Sequence, residues 1–227
     1  MEYIPSSQLP VIVFDIETGP AQDAAQFAPD FDAPANYKDP VKIAACKSEK
    51  LVEWINAAAL SAISGRVLAI GVRENGKPTV FCSDDESEML ASFWSYVSQG
   101  GAIRARMIGF YSNRFDVPFL IRRSWRLGVP VPRGIMHGRY MNDVFVDLIQ
   151  VWQLGDYQAL INLDTLARWL GVGAKNGDGA DFGTLLTSDR AAALAYLEND
   201  LEITERCAIA LNVMEAPEAV TTAVGDY

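Results

Sequence analysis

The stretch that decides the fold is residues 9–20, with the sequence LPVIVFDIETGP. Its apolar run shows little alternation and begins next to Pro10, which is typical of a buried strand entered at its first residues. Asp15 and Glu17 follow this run, and the two-residue period of a strand places both carboxylates on one face. Such a pair is also common in solvated turns. Beside a buried strand, however, two acids need a compensating charge, which makes them candidate ligands of a hard cation.

Residues downstream of this strand predict a mixed sheet covered by helices. Residues 21–50 lack a clear period and predict an extended insertion or loop with short helices, whereas residues 51–60 predict a helix. An Asn-Gly turn joins predicted strands at residues 66–73 and 78–82. Ser83 and Glu86 have the spacing of a capping box that opens a helix extending to Val97.

The rest of the chain alternates strands with helices before becoming mainly helical. The predicted strands are residues 107–111 and 143–148, and the predicted helices are residues 116–127, 149–154, 162–170 and 189–214. Asn162 is the expected N-cap of one of these helices, and Gly171 is its expected stop.

Two further acidic positions extend the pattern begun by the first pair. Asp116 ends the segment GFYSNRFD at residues 109–116, where a strand gives way to a helix, and it could simply cap that helix. Tyr196 and Asp200 are four residues apart on the last predicted helix and therefore share one face. Neither pattern alone is specific for a function. The order of the three acidic motifs along the chain is more specific than any one of them.

The composition is that of an ordinary folded protein. The 227 residues include 19 basic and 29 acidic side chains, a net charge of −10, and half of the residues are apolar. This excludes intrinsic disorder and leaves room for one domain over residues 1–227, with an insertion at about 21–65. We expect no transmembrane helix and no secretory signal. Three widely spaced cysteines without metal-ligand spacing favour a reducing, cytoplasmic location.

The negative charge is unevenly distributed along the chain. Residues 104–139 contain one acid and eight arginines, which could form a basic lip beside an acidic pocket: Arg104, Arg106, Arg114, Arg122, Arg123, Arg126, Arg133 and Arg139. Alternatively, several of them simply solvate helix faces.

The motifs DIE at residues 15–17, NRFD at 113–116 and YLEND at 196–200 together resemble the three exonuclease motifs of the DEDD superfamily of 3′-5′ exonucleases. Tyr196, four residues before Asp200, is similar to the tyrosine subgroup, which includes the proofreading domain of family B DNA polymerases. The histidine subgroup has its histidine five residues before that aspartate, where this chain has Ala195. The resemblance spans about residues 9–211, with Lys175 in a stretch similar to stand-alone relatives. The segment at residues 21–65 departs from the compact members.

The resemblance implies an α/β, RNase H-like fold and a metal-dependent 3′-5′ exonuclease with catalytic residues Asp15, Glu17, Asp116, Tyr196 and Asp200. In this reading Asp15 bridges two ions, Glu17 and Asp200 complete one site, Asp116 holds the other, and the Tyr196 hydroxyl orients the attacking water. Oxygen ligands favour Mg²⁺ or Mn²⁺, two ions per active site, and no Cys/His cluster suggests zinc.

Substrate contacts are expected from Asn113, Phe115, Arg114 and Arg122, although a core role for Phe115 is equally open. The expected substrate is the 3′ end of single-stranded DNA or a frayed end, and the products are nucleoside monophosphates. Two alternatives are an exoribonuclease, since no feature identifies a 2′-hydroxyl reader, and a catalytically silent nucleic-acid-binding domain of the same fold. The large aromatic residues Trp125, Trp152, Trp169, Phe27, Phe31 and Tyr37 are expected to pack in the core. The sequence does not identify a protein partner in replication or repair, and no membrane partner is expected.

Overall fold

The computed structural model describes residues 9–133, 135, 144–177 and 182–217. The strands are β1 (Val11–Pro20), β2 (Gly65–Glu74), β3 (Lys77–Phe81), β4 (Ser98–Gln99), β5 (Ala102–Ile103), β6 (Arg106–Gly109) and β7 (Phe145–Asp147). The helices are α1 (Pro40–Asn56), α2 (Glu86–Tyr96), α3 (Asp116–Leu127), α4 (Leu148–Gln153), α5 (Leu163–Leu170), α6 (Phe182–Ser188) and α7 (Arg190–Ala210).

Five of the strands form one mixed sheet in the order β3-β2-β1-β6-β7. β1 lies at its centre, antiparallel to β2 and parallel to β6. β7 continues the parallel half beside β6, and the β2–β3 hairpin forms the antiparallel edge. The mixed sheet covered by helices agrees with the fold class predicted from the sequence.

The two faces of β1 contact different helices. Ile12, Phe14 and Ile16 belong to the buried cluster that includes apolar residues of α2 and α3. Val13, on the opposite face, packs in a cluster with residues of α5 and α7. The period-two alternation therefore directs Asp15 and Glu17 to the α7 side of the sheet.

The first strand is longer than predicted. The apolar run suggested an end near Phe14, but β1 continues to Pro20 because β2 pairs with it as far as Pro20, opposite Gly65. The two acids therefore lie within the strand rather than beyond its end, and a register irregularity follows at Glu17 and Thr18.

The insertion is more helical than predicted. α1 begins eleven residues before the expected helix, at Pro40, because Pro40 occupies its first turn and the Asp39 side chain accepts from the Val41 N–H. No residue of α1 is buried, and exposed apolar side chains such as Val52 blur the period that would have revealed the helix. The segment is anchored at its end, where the Thr18 hydroxyl donates to the Ala59 carbonyl at 2.8 Å.

The predicted capping box is wrong. The N-cap of α2 is Asp85, whose carboxylate accepts from the N–H groups of Ser87 and Glu88. Glu86 instead points into the protein, where it accepts from the Val67 N–H at 2.8 Å and pairs with Arg123. Glu86 therefore pairs with the buried guanidinium of Arg123 instead of capping the helix, which is the role that its spacing from Ser83 suggested.

Several other predicted boundaries are confirmed, although α7 ends at Ala210 rather than near Met214 and α6 was not predicted. α3 and α5 match their predicted spans within one residue, with Asn162 capping α5 and Gly171 ending it in a left-handed conformation. The expected strand at 143–148 is observed as Phe145–Asp147; Asp143, His137 and Arg139 lie outside the described residues. Among the helices that the structure describes, none is long and apolar enough to cross a membrane.

Candidate active site

The edge of β1 opens where the acidic pair lies. β6 pairs with β1 only over Val11, Ile12 and Val13 and then turns away after Gly109. The backbone of β1 beyond Val13 therefore loses its parallel neighbour, while β2 continues on the other side. This leaves a gap beside Asp15 and Glu17 that another element can fill.

Asp116 fills this gap from the first residue of α3. Its Oδ1 atom accepts a hydrogen bond from the Ile16 N–H at 3.2 Å, so a side chain replaces the missing strand partner. The preceding loop turns sharply, with Tyr111 at a positive φ of 60° and the Val117 N–H donating to the Ser112 carbonyl at 2.9 Å. Asp116 therefore lies inside the helix and does not serve as its cap.

Asp200 reaches the same place from α7. Gly71 of β2 lies opposite Asp15 in the antiparallel register, and a Cβ atom at Gly71 would come within 2.7 Å of Leu201. The glycine therefore permits the close approach of α7 to the sheet. This contact brings Asp200 over the β1 acids, and one ligand oxygen from each of Asp15, Glu17 and Asp200 lies within 4.8 Å of the others.

The four carboxyl groups strongly perturb one another. Burial, followed by the charge of Asp200, raises the pKa of Asp15 to about 7. Burial and then Asp15 raise the pKa of Glu17 to about 9. Burial is also the main reason why the pKa values of Asp116 and Asp200 are raised. Without a cation, burial and mutual repulsion therefore favour proton uptake by Asp15 and Glu17.

A pocket of about 490 Å³ surrounds the acids. It is lined by all four carboxylates and by residues of the neighbouring loops and helices: Ile16, Phe110, Tyr111, Phe115, Asn162, Leu163, Asp164, Lys175, Gly177 and Tyr196. Among these described residues Lys175 is the one cation. A cavity of this size can accept a nucleotide-sized ligand.

Lys175 partly compensates the acidic charge. Its Nζ atom lies 2.6 Å from Asp200 Oδ2, and its backbone N–H donates to Asp164 Oδ1 at 3.0 Å. Burial favours the neutral amine, but the interactions with Asp200 and Tyr196 together outweigh it, so the pKa of Lys175 is raised. One ammonium against four carboxylates leaves the site short of positive charge.

Tyr196 projects into the pocket from the turn of α7 that precedes Asp200. Its hydroxyl is buried and makes no well-formed hydrogen bond within the described part of the chain, although Lys175 and Asp200 lie near enough to influence it. Gly177 packs against its ring, where an added Cβ atom would lie 3.0 Å from Tyr196 Cδ2. Burial raises the pKa of Tyr196, so the hydroxyl stays protonated near neutral pH and can both donate and accept.

Asp147 supports the loop that carries Asp116. It is 2 % exposed, and its two carboxylate oxygens accept from the Asn113 N–H at 3.0 Å and the Ile149 N–H at 3.2 Å. Burial raises its pKa despite these bonds. Asp147 therefore links the end of β7 to the turn that precedes α3.

The expected substrate-contacting residues occupy different places. Phe115 lines the pocket and also packs against Phe119, with ring centroids 5.4 Å apart, so both of its anticipated roles are compatible with its position. The Asn113 side-chain amide donates to the Phe145 carbonyl at 3.5 Å. Arg114 and Arg122 are exposed and lie outside the described pocket lining.

The eight-arginine segment does not form a uniform basic lip. Arg123 is buried against Glu86, and Arg104 makes two hydrogen bonds to Glu74 at 3.0 and 3.1 Å. Arg126 pairs with Asp23 at 3.1 Å on the surface. Sequence counting could not separate these structural arginines from the exposed Arg114 and Arg122, because their partners are distant in sequence.

The residues present fit divalent cations. Asp200 Oδ1 is buried without a hydrogen-bond partner among the described residues, beside oxygens of Asp15 and Glu17. An orphaned carboxylate oxygen costs free energy unless a cation or donor reaches it. A site made only of oxygen ligands suits Mg²⁺ or Mn²⁺ better than zinc.

Three functional features had weaker sequence signals than the acids. Lys175 lies in the stretch that resembles stand-alone relatives, but the sequence assigned it no role. Nothing in its spacing indicates a contact with Asp200. Gly71 did carry a signal, since a glycine within a central strand often marks close backbone approach. Asp147 similarly ended a predicted strand, the position at which functional side chains gather in α/β sheets.

Comparison with protein families agrees with this geometry. Residues 60–204 match the family described as a predicted 3′-5′ exonuclease related to the exonuclease domain of PolB. The match covers more than half of the chain, which therefore belongs to this family. The matched region includes Asp116, Lys175, Tyr196 and Asp200, whereas Asp15 and most of the insertion lie outside it. No curated protein matches the chain.

A solved structure of a DNA polymerase shows the same fold. The family B DNA polymerase from the hyperthermophilic archaeon Pyrobaculum calidifontis matches 90% of this chain with a TM-score of 0.58 and 20% identity. This chain spans 24% of that polymerase. RNase D from Trypanosoma brucei matches 94% of this chain, which spans 61% of the RNase D chain, with a TM-score of 0.49 and 15% identity. The likeness to the polymerase shows the RNase H-like α/β fold expected from the sequence.

Proposed function

We propose that this protein is a metal-dependent 3′-5′ exonuclease that hydrolyses single-stranded DNA or frayed ends and releases nucleoside monophosphates. The observation that carries the proposal is the convergence of four carboxylates from β1, α3 and α7 on one pocket, with only Lys175 as a cation in its described lining. A binding module would gain no stability from such mutually repelling groups.

In this proposal Asp15, Glu17, Asp116 and Asp200 hold two divalent ions. When bound, the ions would activate water and stabilise the charge that develops on the phosphoryl group. Asp15 interacts electrostatically with both Asp116 and Asp200 and would be shared by the two ions. The carboxyls must release their protons on binding, because a ligand oxygen needs its lone pairs.

The remaining residues would position the reactants. The unpartnered Tyr196 hydroxyl can hydrogen-bond the attacking water and fix its direction toward phosphorus. The water oxygen bonds to phosphorus while the bond from phosphorus to the 3′ oxygen of the penultimate nucleotide breaks. The water gives up a proton to solvent, the departing 3′ oxygen takes one up, and the terminal nucleotide leaves as a 5′-monophosphate. Lys175 would hold Asp200 in place through its 2.6 Å contact, and Phe115 would contact the terminal nucleotide.

The test is digestion of end-labelled single-stranded DNA and a matched RNA, with and without Mg²⁺ or Mn²⁺. Metal-dependent shortening from the 3′ end with release of mononucleotides is expected. Faster digestion of the RNA would assign the protein as an exoribonuclease instead. Binding without hydrolysis in either metal would identify a silent domain, and cleavage of a closed circle would overturn the exonuclease assignment.

A further inference from the structure

The outer side of α3 presents a basic and aromatic surface to solvent. At 100° per residue, Arg122, Trp125 and Arg126 fall within one arc of the helix, opposite buried residues such as Leu120 and Ser124. Trp125 is 60% exposed, although the sequence suggested a core residue. We call Arg122, Trp125 and Arg126 the α3 outer face.

The α3 outer face lies on the same helix as Asp116 but on a different side of that helix. α3 begins at Asp116, which lies in the acidic pocket. With a rise of about 1.5 Å per residue, Arg122 lies about 9 Å and Trp125 about 13 Å farther along the helix axis. Nine residues at about 100° each place Trp125 about 180° round the helix from Asp116. A strand that advances about 3.4 Å or more per nucleotide must therefore pass round α3, and it reaches Trp125 about four to six nucleotides from its 3′ end.

Charge favours a polyanion on this face. The chain carries a net charge of −10, yet Arg122 is exposed here and Arg114 is exposed just before the helix. Arg126 is shared with the insertion, since it pairs with Asp23 and stacks over Phe27 with its guanidinium carbon 5.6 Å from the ring centroid. An aromatic side chain among arginines is the combination with which single-strand binders hold bases and phosphates.

A second exposed aromatic surface lacks this combination. Trp169 is 68% exposed and packs against Trp152, with ring centroids 5.3 Å apart. The neighbouring Arg168 forms an ion pair with Asp164, four residues earlier on the same helix. Exposure alone therefore does not distinguish the two tryptophans. The exposed Arg122 lies near Trp125 on the same helix face, whereas the arginine beside Trp169 is ion-paired, so Trp169 offers a matched control.

We infer that the α3 outer face binds the unpaired strand behind its 3′ nucleotide, with Trp125 stacking on a base and Arg122 contacting a phosphate. The inference rests on the proposed function, because it assumes that the 3′ end lies in the acidic pocket. It adds a strand-guiding surface remote from the metal ligands, which would favour longer single strands over dinucleotides.

The test measures binding of fluorescein-labelled thymidine oligonucleotides in Ca²⁺, which occupies oxygen-ligand sites, with a gel confirming that the strand stays intact. Trp125→Ala is expected to weaken binding of a dodecamer by about 5- to 150-fold, the range typical of a lost base stack. Trp125→Phe should recover much of this loss, and Trp169→Ala should bind as wild type does. Arg122→Gln should weaken binding and reduce the salt dependence by about one phosphate contact.

An abasic substrate identifies the stacked base. If a base about four to six nucleotides from the 3′ end stacks on Trp125, removing that base should weaken binding several-fold in the wild type and much less in the Trp125→Ala variant. Equal losses in the two proteins, or equal weakening by Trp125→Ala and Trp169→Ala, would overturn the inference. These binding results do not depend on hydrolysis. If base removal weakens the wild type more than Trp125→Ala but the protein is inactive, the proposed function alone is rejected. If the protein hydrolyses DNA but the two losses are equal, the role of the α3 outer face alone is rejected.

Discussion

Two clusters of buried charge lie on opposite sides of the central sheet, and they are organised differently. On the α2–α3 side, Glu86 receives hydrogen bonds from the Val67 N–H and from two nitrogens of Arg123, at 2.7–2.9 Å. Both side chains of the pair are less than a tenth exposed. The carboxylate is therefore fully matched by donors that belong to the protein itself.

On the α7 side, the acidic cluster has no such match. Lys175 contacts Asp200, but Asp200 Oδ1 and the Tyr196 hydroxyl lack hydrogen-bond partners within the described residues. The pKa values of Asp15 and Glu17 are raised to about 7 and about 9, first by burial and then by neighbouring acids. A buried charge whose hydrogen-bond partners come from the protein supports the fold, whereas a buried charge without such partners indicates a binding site for a ligand.

The largest expected effect is the loss of activity when a carboxylate of the acidic cluster is removed. Asp15→Asn and Asp200→Asn should each lower the single-turnover rate by at least about 10³-fold, because a misplaced cation forfeits several kcal/mol of charge stabilisation. Folding should be unaffected or slightly stabilised without metal, since repulsion among the acids decreases. Rate measurements and circular dichroism check both parts.

A matched control for these variants lies on the same helix. Glu202 is more than a third exposed and pairs with Arg206 on the surface of α7. Glu202→Gln should retain the wild-type rate. If Asp200→Asn were as active as Glu202→Gln, the proposed metal site would be wrong.

Removing a charge from the Glu86–Arg123 cluster should instead lower the stability of the protein. Glu86→Ala leaves the buried Arg123 guanidinium without its carboxylate and is expected to lower the free energy of unfolding by about 3–5 kcal/mol. Urea denaturation measures this loss. The exposed Glu88, two residues along the same helix, provides the control, and Glu88→Ala should cost less than about 1 kcal/mol. A comparable loss in both variants would show that Glu86 acts only through the helix.

The acidic site was more predictable from sequence than the Glu86–Arg123 cluster, for a physical reason. Asp15 and Glu17 follow a strong strand signal, and Tyr196 and Asp200 share a helical face, so local periodicity already placed each pair. Their common function emerged only from the order of the motifs. The Glu86–Arg123 pair joins residues 37 positions apart in sequence, and the same glutamate fitted a local capping pattern that the structure does not use.

The insertion shows a second limit of sequence reasoning. Periodicity reveals a helix because burial selects apolar residues on one side, and α1 has no buried residue. Lys175 was similarly unassignable, because its partner Asp200 lies on a different element and a loop lysine carries no period. Tertiary contacts, rather than local preferences, decide these features.

Tyr196→Phe should have a smaller effect than loss of a carboxylate. This change keeps the ring that packs near Gly177 and removes only the unpartnered hydroxyl. If that hydroxyl orients water, turnover should fall by roughly 10- to 1,000-fold with unchanged substrate affinity. Single-turnover kinetics and melting temperature separate this effect from unfolding. Full activity in Tyr196→Phe would leave the water-positioning group unidentified.

The two clusters should also respond differently to pH and metal. Because the ordinary pKa values of Asp15 and Glu17, 3.8 and 4.5, rise in the folded protein, the folded state binds more protons than the unfolded state at intermediate pH. Metal-free stability should therefore decrease from about pH 5 to about pH 9, by at most about 1.4 kcal/mol per pH unit for each proton. Mn²⁺ should stabilise the protein more at high pH, where fewer protons compete. Thermal unfolding measures both trends, and a variant with Asp15→Asn and Glu17→Gln should flatten them; stability that rises over this range would contradict the assignment.

The smallest expected effect concerns an ion pair that neither cluster contains. Asp23 of the insertion and Arg126 of α3 lie 3.1 Å apart, but about half of each side chain is exposed. Water screens such a pair, so Asp23→Ala should change the free energy of unfolding by less than about 1 kcal/mol, well below the loss for Glu86→Ala. Asp30→Ala, in the same segment, serves as the control. A loss above about 2 kcal/mol in Asp23→Ala alone would mean that this contact holds the insertion against α3, and burial would then not be what separates strong from weak ion pairs in this protein.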